Sequence, residues 1–323
     1  MELLKNCNLC PRKCGVNRYE KKGFCGATNK IKLAYYSLHM WEEPVISGEK
    51  GSGTIFFSNC NLRCLYCQNK KISIDGYGKY ISNKELGNIM LKLQDMGAHN
   101  INLVTPTIYV PQIASVLQKH KNKDLKIPVV YNTSSYENIG TLMVMNGLVD
   151  IYLADLKYYD DNLANKYSGC TNYFETATLA IDEMYRQVGK IELDENGMMK
   201  KGLVVRVLIL PDHTHDAMKV VEYLYKTYGD DIYISIMNQF TPVNKCKYDN
   251  LNRKVTDAEY EDVISYALTI GVNNAFIQEG DAAQESFIPN FDKNIIWLLW
   301  IIDEIYIFNS ICLLFYVIIS LGG

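Results

Sequence analysis

Short, β-branched and almost continuously apolar runs alternate along most of this chain with longer segments of helical spacing. The runs fall at 54–58, 101–105, 127–131, 150–154, 203–210, 232–237 and 274–278. Such strands suit a parallel sheet covered on both faces, because a sheet with one wet face would alternate apolar and polar positions. Between the runs, Ser82-Asn83-Lys84-Glu85 reads as a capping box, with Leu86, Ile89, Met90 and Leu93 following on one helical face. Thr256-Asp257-Ala258-Glu259 repeats the signal ahead of Val263, Ile264 and Ala267. Repeated βα units imply an α/β fold, either a doubly wound sheet or a partial or complete parallel (β/α) barrel. In both, functional groups gather at the carboxyl ends of the strands. Residues 60–67, Thr105-Pro106-Thr107, Asn132-Thr133-Ser134, Asp155-Leu156-Lys157 and the loop beyond Leu210 are therefore expected to share one mouth.

The pattern changes at the far end. From 295 to 321 the chain is almost wholly apolar, broken by Asp303-Glu304 and Asn309-Ser310. Residues 305–321 are close to the shortest run that spans a bilayer. An acid at the bilayer centre costs roughly 2.5–3.5 kcal/mol, so a span would begin after the acidic pair. A membrane anchor, a buried terminal helix and an aberrant end such as a frame shift are the three readings of this tail. The expected division is a polar, cysteine-bearing arm over 1–48, a core over 49–290 and the apolar tail over 291–323.

Composition narrows the class of partner. The 323 residues are 48% hydrophobic and 21% charged, as in ordinary globular proteins. A net charge of −3 gives no basic footprint for nucleic acid. The first residues, Met1 to Cys7, lack the long apolar core of a signal peptide. The ten cysteines are accordingly read for a reducing, cytoplasmic setting, where clustered thiols bind metal more often than they form disulfides.

Three of those cysteines follow the first apolar run, in Asn59-Cys60-Asn61-Leu62-Arg63-Cys64-Leu65-Tyr66-Cys67. The C-x3-C-x2-C spacing supplies one thiolate too few for a closed tetrahedral or cubane site. A zinc ion completed by a distant His or Cys is one reading. An iron–sulfur cluster with one iron open to a non-protein ligand is the other, and the position at a strand's carboxyl end favours it.

With Tyr66 included, the motif is C-x3-C-x-aromatic-C, and here the chain resembles the radical S-adenosylmethionine (SAM) superfamily. Cys7-Asn8-Leu9-Cys10-Pro11-Arg12-Lys13-Cys14-Gly15, Trp41-Glu42-Glu43-Pro44, Gly51-Ser52-Gly53-Thr54, the 100–107 segment, Val130-Tyr131-Asn132-Thr133 and the 150–158 segment resemble a subgroup related to pyruvate formate-lyase activating enzymes. The resemblance covers roughly residues 7–290 and implies a [4Fe-4S] cluster on Cys60, Cys64 and Cys67, with SAM chelating the fourth iron. It implies reductive cleavage of SAM to a 5′-deoxyadenosyl radical and hydrogen abstraction from a substrate, in the closest version forming a glycyl radical on a protein partner. A flavodoxin or ferredoxin would supply the electron. An iron–sulfur carrier or sensor that never cleaves SAM is the alternative.

The same resemblance places Asp155 and Lys157 beside the SAM methionine moiety and Arg206 in contact with SAM, with Val207 where a histidine is expected. Two residues apart on a strand, Asp155 and Lys157 should face one side, where a rim salt bridge is their other reading. Arg206 interrupts an apolar strand and needs a carboxylate partner. Asn132, Thr133 and Ser134 suit ribose hydroxyls or a helix cap. Thr105-Pro106-Thr107 stands where many relatives carry Gly-Gly-Glu to hold the SAM amino group, so Thr105 and its neighbours would do that through carbonyls or hydroxyls. Tyr66 is expected near the adenine.

Cys7, Cys10, Cys14 and Cys25 form a complete second set, C-x2-C-x3-C-x10-C, suited to structural zinc or to an auxiliary [4Fe-4S] cluster. Cys170, Cys246 and Cys312 have no partner pattern and read as ordinary thiols. His213 and His215 read as solvated or capping residues, and His39, His99 and His120 receive no role.

Overall fold

The computed structural model describes residues 2–243, 245–278, 291 and 316–319, the last as backbone only. In chain order its elements are β1 (Ile31–His39), α1 (Pro44–Ser47), β2 (Ser52–Phe57), α2 (Lys70–Ser73), β3 (Lys79–Ile81), α3 (Asn83–Asp95) and β4 (Ile101–Val104). Next come α4 (Val110–His120), β5 (Val129–Thr133), α5 (Ile139–Met143), β6 (Ile151–Asp155), α6 (Asp161–Ser168), α7 (Tyr173–Val188) and β7 (Glu192–Leu193). They are followed by β8 (Met199–Leu208), α8 (Thr214–Tyr228), β9 (Tyr233–Met237), α9 (Asp257–Thr269), β10 (Ala275–Gln278) and β11 (Tyr316–Ile319).

All seven apolar runs become strands, and they pair in parallel in the order β2-β4-β5-β6-β8-β9-β10. The order never reverses, so the doubly wound alternative does not apply. Right-handed crossovers that always step the same way leave the helices on one face of the sheet. The sheet is open and barrel-like, with β1 and β3 continuing it antiparallel beyond β2 and β11 antiparallel beyond β10. Strand ends move by a few residues for local reasons. The run at 127–131 starts late, at Val129, because Pro128 has no N–H for the ladder. The run at 203–210 starts early, at Met199, because β7 folds back on β8.

Four strands, β1, β3, β7 and β11, fall outside the hydropathy reading, and two of them lie in segments read otherwise. The first is β1, nine residues of the segment expected to be a polar arm, which pairs with β2. The second is β11: four residues of the apolar tail form a strand on β10, as Val317, Ile318 and Ile319 favour, and not the helix of an anchor or core. The remainder of the 295–323 tail lies outside the described residues. Among the described residues, no helix is long and apolar enough to cross a membrane.

Both capping boxes form, Ser82 with Glu85 and Thr256 with Glu259. Outward-facing strand residues such as Ile55, Leu103, Tyr131, Tyr152, Val205 and Ile234 pack under the helices in the main core. The inward-facing set differs by level. Near the amino ends, Val130, Ile151, Leu153, Val204, Tyr233 and Phe276 close on Val45 and Ile46 of α1, which plugs the barrel floor. One or two residues further along, the same inner face turns polar, with Asn102, Asn132, Asp155, Arg206 and Ser235. That step from apolar plug to polar mouth positions the site.

Candidate active site

The cysteine loop leaves β2 through two tight positions. Asn59 and Arg63 take left-handed backbone conformations, φ 74° and 61°. Gly78 has to be glycine, since a Cβ there would lie 2.3 Å from Ser58 Oγ and 2.5 Å from the Leu33 carbonyl. So folded, Cys60, Cys64 and Cys67 open onto one cavity of about 240 Å³. Their sulfurs are already hydrogen-bonded. The Leu62 N–H donates to Cys60 Sγ (3.4 Å), the Ser168 hydroxyl to Cys64 Sγ (3.0 Å), and Ser73 Oγ lies 3.2 Å from Cys67 Sγ. Burial pushes the Cys60 thiol up to about 12 and raises Cys67 as well, each reinforced by neighbouring sulfurs. Thiolates gathered in this way need a cationic metal to offset their charge, and metal binding would release their protons. Three soft ligands with sulfur-directed hydrogen bonds fit an iron–sulfur cluster.

Tyr66 lines the cavity and joins a hydroxyl chain to the cysteine loop. Its OH lies 2.7 Å from Tyr158 OH, which lies 2.7 Å from Ser168 Oγ, the donor to Cys64. Its ring packs against Phe240, with centroids 5.8 Å apart.

Across the cavity, Arg206 is the hub. Its Nε meets Asp155 Oδ1 at 2.6 Å, Nη2 donates to Asn132 Oδ1 at 2.6 Å, and Nη1 lies 3.3 Å from Glu42 Oε2. Lys157 Nζ bonds the other Asp155 oxygen at 2.7 Å, so this pair both lines the cavity and forms a salt bridge. Burial opposes the charge on Asp155, but Arg206 and Lys157 outweigh it and hold the carboxyl below its usual range. Lys157 is likewise opposed by burial and raised overall by Asp155 and Cys64.

Thr105, Thr133 and Ser134 also line the cavity. Thr105 has φ 58°, an outlying backbone for a β-branched residue, with its N–H on the Asn132 carbonyl (2.9 Å). The Thr133 hydroxyl turns away from the mouth to Glu137 Oε1 (2.6 Å), which also accepts from Thr107 (2.6 Å) and Tyr131 (3.3 Å). The Tyr173 hydroxyl donates to the Ser134 carbonyl at 2.9 Å.

Glu42 and Glu43 reach the site from the β1–α1 connection. As functional side chains they were invisible to strand-end reasoning, because they precede the first parallel strand. The only signal was their place in Trp41-Glu42-Glu43-Pro44. Glu42 accepts from Asn102 Nδ2 at 2.9 Å in addition to its contact with Arg206. Glu43 is 1% exposed, and neither of its oxygens has a hydrogen-bond partner. His39 also lines the cavity, and burial lowers its imidazole to about 4.

The second cysteine set lies in the arm. Cys7, Cys10 and Cys25 are buried, and the Cys14 and Cys25 sulfurs lie 3.5 and 3.4 Å from the point a Gly23 Cβ would occupy. Among the described residues no three His, Cys, Asp or Glu groups are close enough for a single metal ion. Arg12, between Cys10 and Cys14, ties the arm to the cysteine loop through the carbonyls of Asn61 (3.0 Å) and Leu62 (3.2 Å), and to the end of α6 through those of Ser168 (3.0 Å) and Gly169 (2.5 Å). Cys170 is buried against Ala164 and does not line the cavity. His213 sits at the start of α8, but its ring bonds Tyr167 OH at 2.8 Å and caps nothing.

Such a barrel, with three thiols at the end of β2 facing polar strand ends, defines a class, and the sequence comparison agrees. The radical SAM superfamily profile matches residues 54–224, and the chain belongs to that superfamily. It is 31% identical over 281 residues to an uncharacterized protein of Methanocaldococcus jannaschii, covering 82% of this chain and 75% of that one. Among solved structures it is similar to Streptococcus suis SuiB bound to S-adenosylmethionine, with 15% identity and a TM-score of 0.47 over 68% of this chain and 48% of SuiB. Methylornithine synthase matches at 13% identity and a TM-score of 0.41, over 65% and 59% of the two chains. The chain thus spans about half the length of these solved structures.

Proposed function

We propose that this protein cleaves SAM reductively at a [4Fe-4S] cluster held by Cys60, Cys64 and Cys67. One observation carries the reading: among the described residues three thiols, and no fourth, share a cavity with the polar strand ends Asn132, Asp155, Lys157 and Arg206. A cluster held by these three cysteines would supply the electron for reductive cleavage of SAM, and with it the radical chemistry that removes a hydrogen atom from the substrate. Arg206 and Lys157 are cations fixed for the SAM carboxylate, and Asp155 holds both in place. Asn132 keeps its amide nitrogen within 3.5 Å of Glu42, and with the Ser134 hydroxyl it suits a ribose. Tyr66, backed by Phe240, offers a ring for the adenine. The hydroxyl chain ending on Cys64 tunes the cluster, since hydrogen bonds to sulfur help set its potential.

The activating-enzyme version, with a protein glycine as hydrogen donor and a flavodoxin or ferredoxin as reductant, rests on the motif resemblance. In the arm, the four cysteines are proposed to hold zinc or a second cluster, which Arg12 keeps against the cysteine loop. The test is anaerobic reconstitution with iron and sulfide, reduction and incubation with SAM. 5′-Deoxyadenosine forms and disappears in Cys64→Ala. A brown protein inert toward SAM would instead indicate an electron carrier, and a colourless zinc protein a structural module.

A further inference from the structure

At the wall of the same cavity, where Glu43 lines it, and in the buried layer just behind, polar atoms are left unfilled by the SAM-directed groups. Glu43 lines the cavity yet is 1% exposed, and both of its carboxylate oxygens lack a hydrogen-bond partner. Ser235, fully buried on the inner face of β9, stands beside the carboxylate, but its hydroxyl also completes no hydrogen bond. Asn102 gives its amide nitrogen to Glu42 and leaves its buried oxygen without a donor. These atoms are nearly all acceptors. Three acids, Glu42, Glu43 and Asp155, face two cations, Arg206 and Lys157, and burial raises Glu42 and Glu43, whose ionised forms would gain from a further cation. A buried, unpaired carboxylate is among the most costly groups a fold can retain. Its retention at a cavity wall calls for a ligand. Ser235 stands on β9, beside Arg206 of β8 and across the sheet from Asn132 of β5 and Asp155 of β6.

We propose that Glu43 and Ser235 form a subsite for a primary ammonium group of the substrate, so that the hydrogen donor is an amine-bearing molecule. An ammonium supplies three N–H donors and the missing positive charge on one compact atom, whereas a neutral hydroxyl or amide leaves the charge unbalanced. This rests on the SAM-cleaving reading for what happens to the substrate, but not for the binding itself.

The test uses the reconstituted full chain with n-propylammonium as probe and propan-1-ol as its neutral counterpart, titrated calorimetrically with and without SAM. Saturable binding of the ammonium, and not of the alcohol, is expected. Glu43→Gln should weaken it by about tenfold or more, the value of a charge-assisted hydrogen bond, and Ser235→Ala should weaken it less. Without ligand, Glu43→Gln should also raise the melting temperature above pH 7, because it removes the cost of ionising a buried carboxyl that has no hydrogen-bond partner. A carboxylate present only to neutralise Arg206 would give the opposite sign. Failure of the ammonium to saturate, equal binding of the alcohol, or a lower melting temperature with unchanged ammonium affinity overturns the proposal. So does a tenfold loss of SAM affinity in Glu43→Gln, which would assign the carboxylate to the amino group of SAM itself. Should the wild type form no 5′-deoxyadenosine, the proposed function fails while the ammonium isotherm still reports on the subsite.

Discussion

At the scale of single residues, the site is governed by how buried charges are shared. Arg206 contacts two carboxylates and an amide, and all of these groups are largely buried. Arg206→Met would leave Glu42 without its cation and Asp155 with Lys157 alone. Breaking a buried pair from one side costs about 3–5 kcal/mol, and urea unfolding should show a loss of that size together with weakened SAM binding. Glu137 makes a different prediction. Burial raises its carboxyl from 4.5 to about 7, against three hydroxyl donors that lower it. A folded-state pKa above the unfolded value means that the folded chain keeps the proton longer. The Glu137 contribution is therefore full below about pH 4.5 and is lost as pH rises toward 7. Glu43 contributes with the same sign, and His39, held low by burial, with the opposite sign. Glu137→Gln keeps an oxygen for Thr107 and Thr133, so its stability relative to wild type should rise between pH 5 and 7. Chemical unfolding at each pH measures this, and a flat difference would contradict the titration. Of these residues, Arg206 was legible because a charge in an apolar strand must find a partner, and Asp155 because it closes a strand in a motif that resembles the activating enzymes. Glu42 and Glu43 were not, because two acids before a proline look like surface.

At the scale of elements, the informative contact is between the cysteine arm and the cysteine loop. Arg12 bonds the loop through the backbone carbonyls of Asn61 and Leu62, which no side-chain pattern announces, and Arg63 of the loop packs over the Phe24 ring of the arm. Arg12→Ala should leave the barrel folded, since α1 and the helices around the sheet hold the core without it. The loop carrying Cys60 and Cys64 would lose its external brace. Faster loss of iron from the reconstituted protein in air, followed by its visible absorbance, is the expected result, with far-UV circular dichroism unchanged. Helix boundaries, by contrast, were readable, because a capping box is a four-residue signal whose hydrogen bonds are all local. The strand β1 was missed because its inner and outer faces alternate only loosely, and its place is decided by pairing with β2.

At the scale of the whole molecule, two cysteine sets serve one chain from different places. The Cys60 set opens on the cavity, whereas Cys7, Cys10, Cys14 and Cys25 do not line it. Cys10→Ser should thus lower the metal content per chain, by elemental analysis, while 5′-deoxyadenosine formation persists at a reduced rate. Complete loss of product would mean that the arm is needed for chemistry at the cavity. The sequence by itself determined the parallel βα order, the strand ends that would converge, and a three-thiol loop one ligand short of closure. These are properties of neighbouring residues: apolar runs, caps and the spacing of thiols within one turn. Only the tertiary structure decided that the sheet stays open with a four-residue helix plugging its floor, that Arg206 answers to Glu42 as well as Asp155, and that Glu43 ends buried without a partner. Those outcomes join residues up to 164 positions apart, and such pairings depend on how the strands curve around the cavity, which no local pattern encodes.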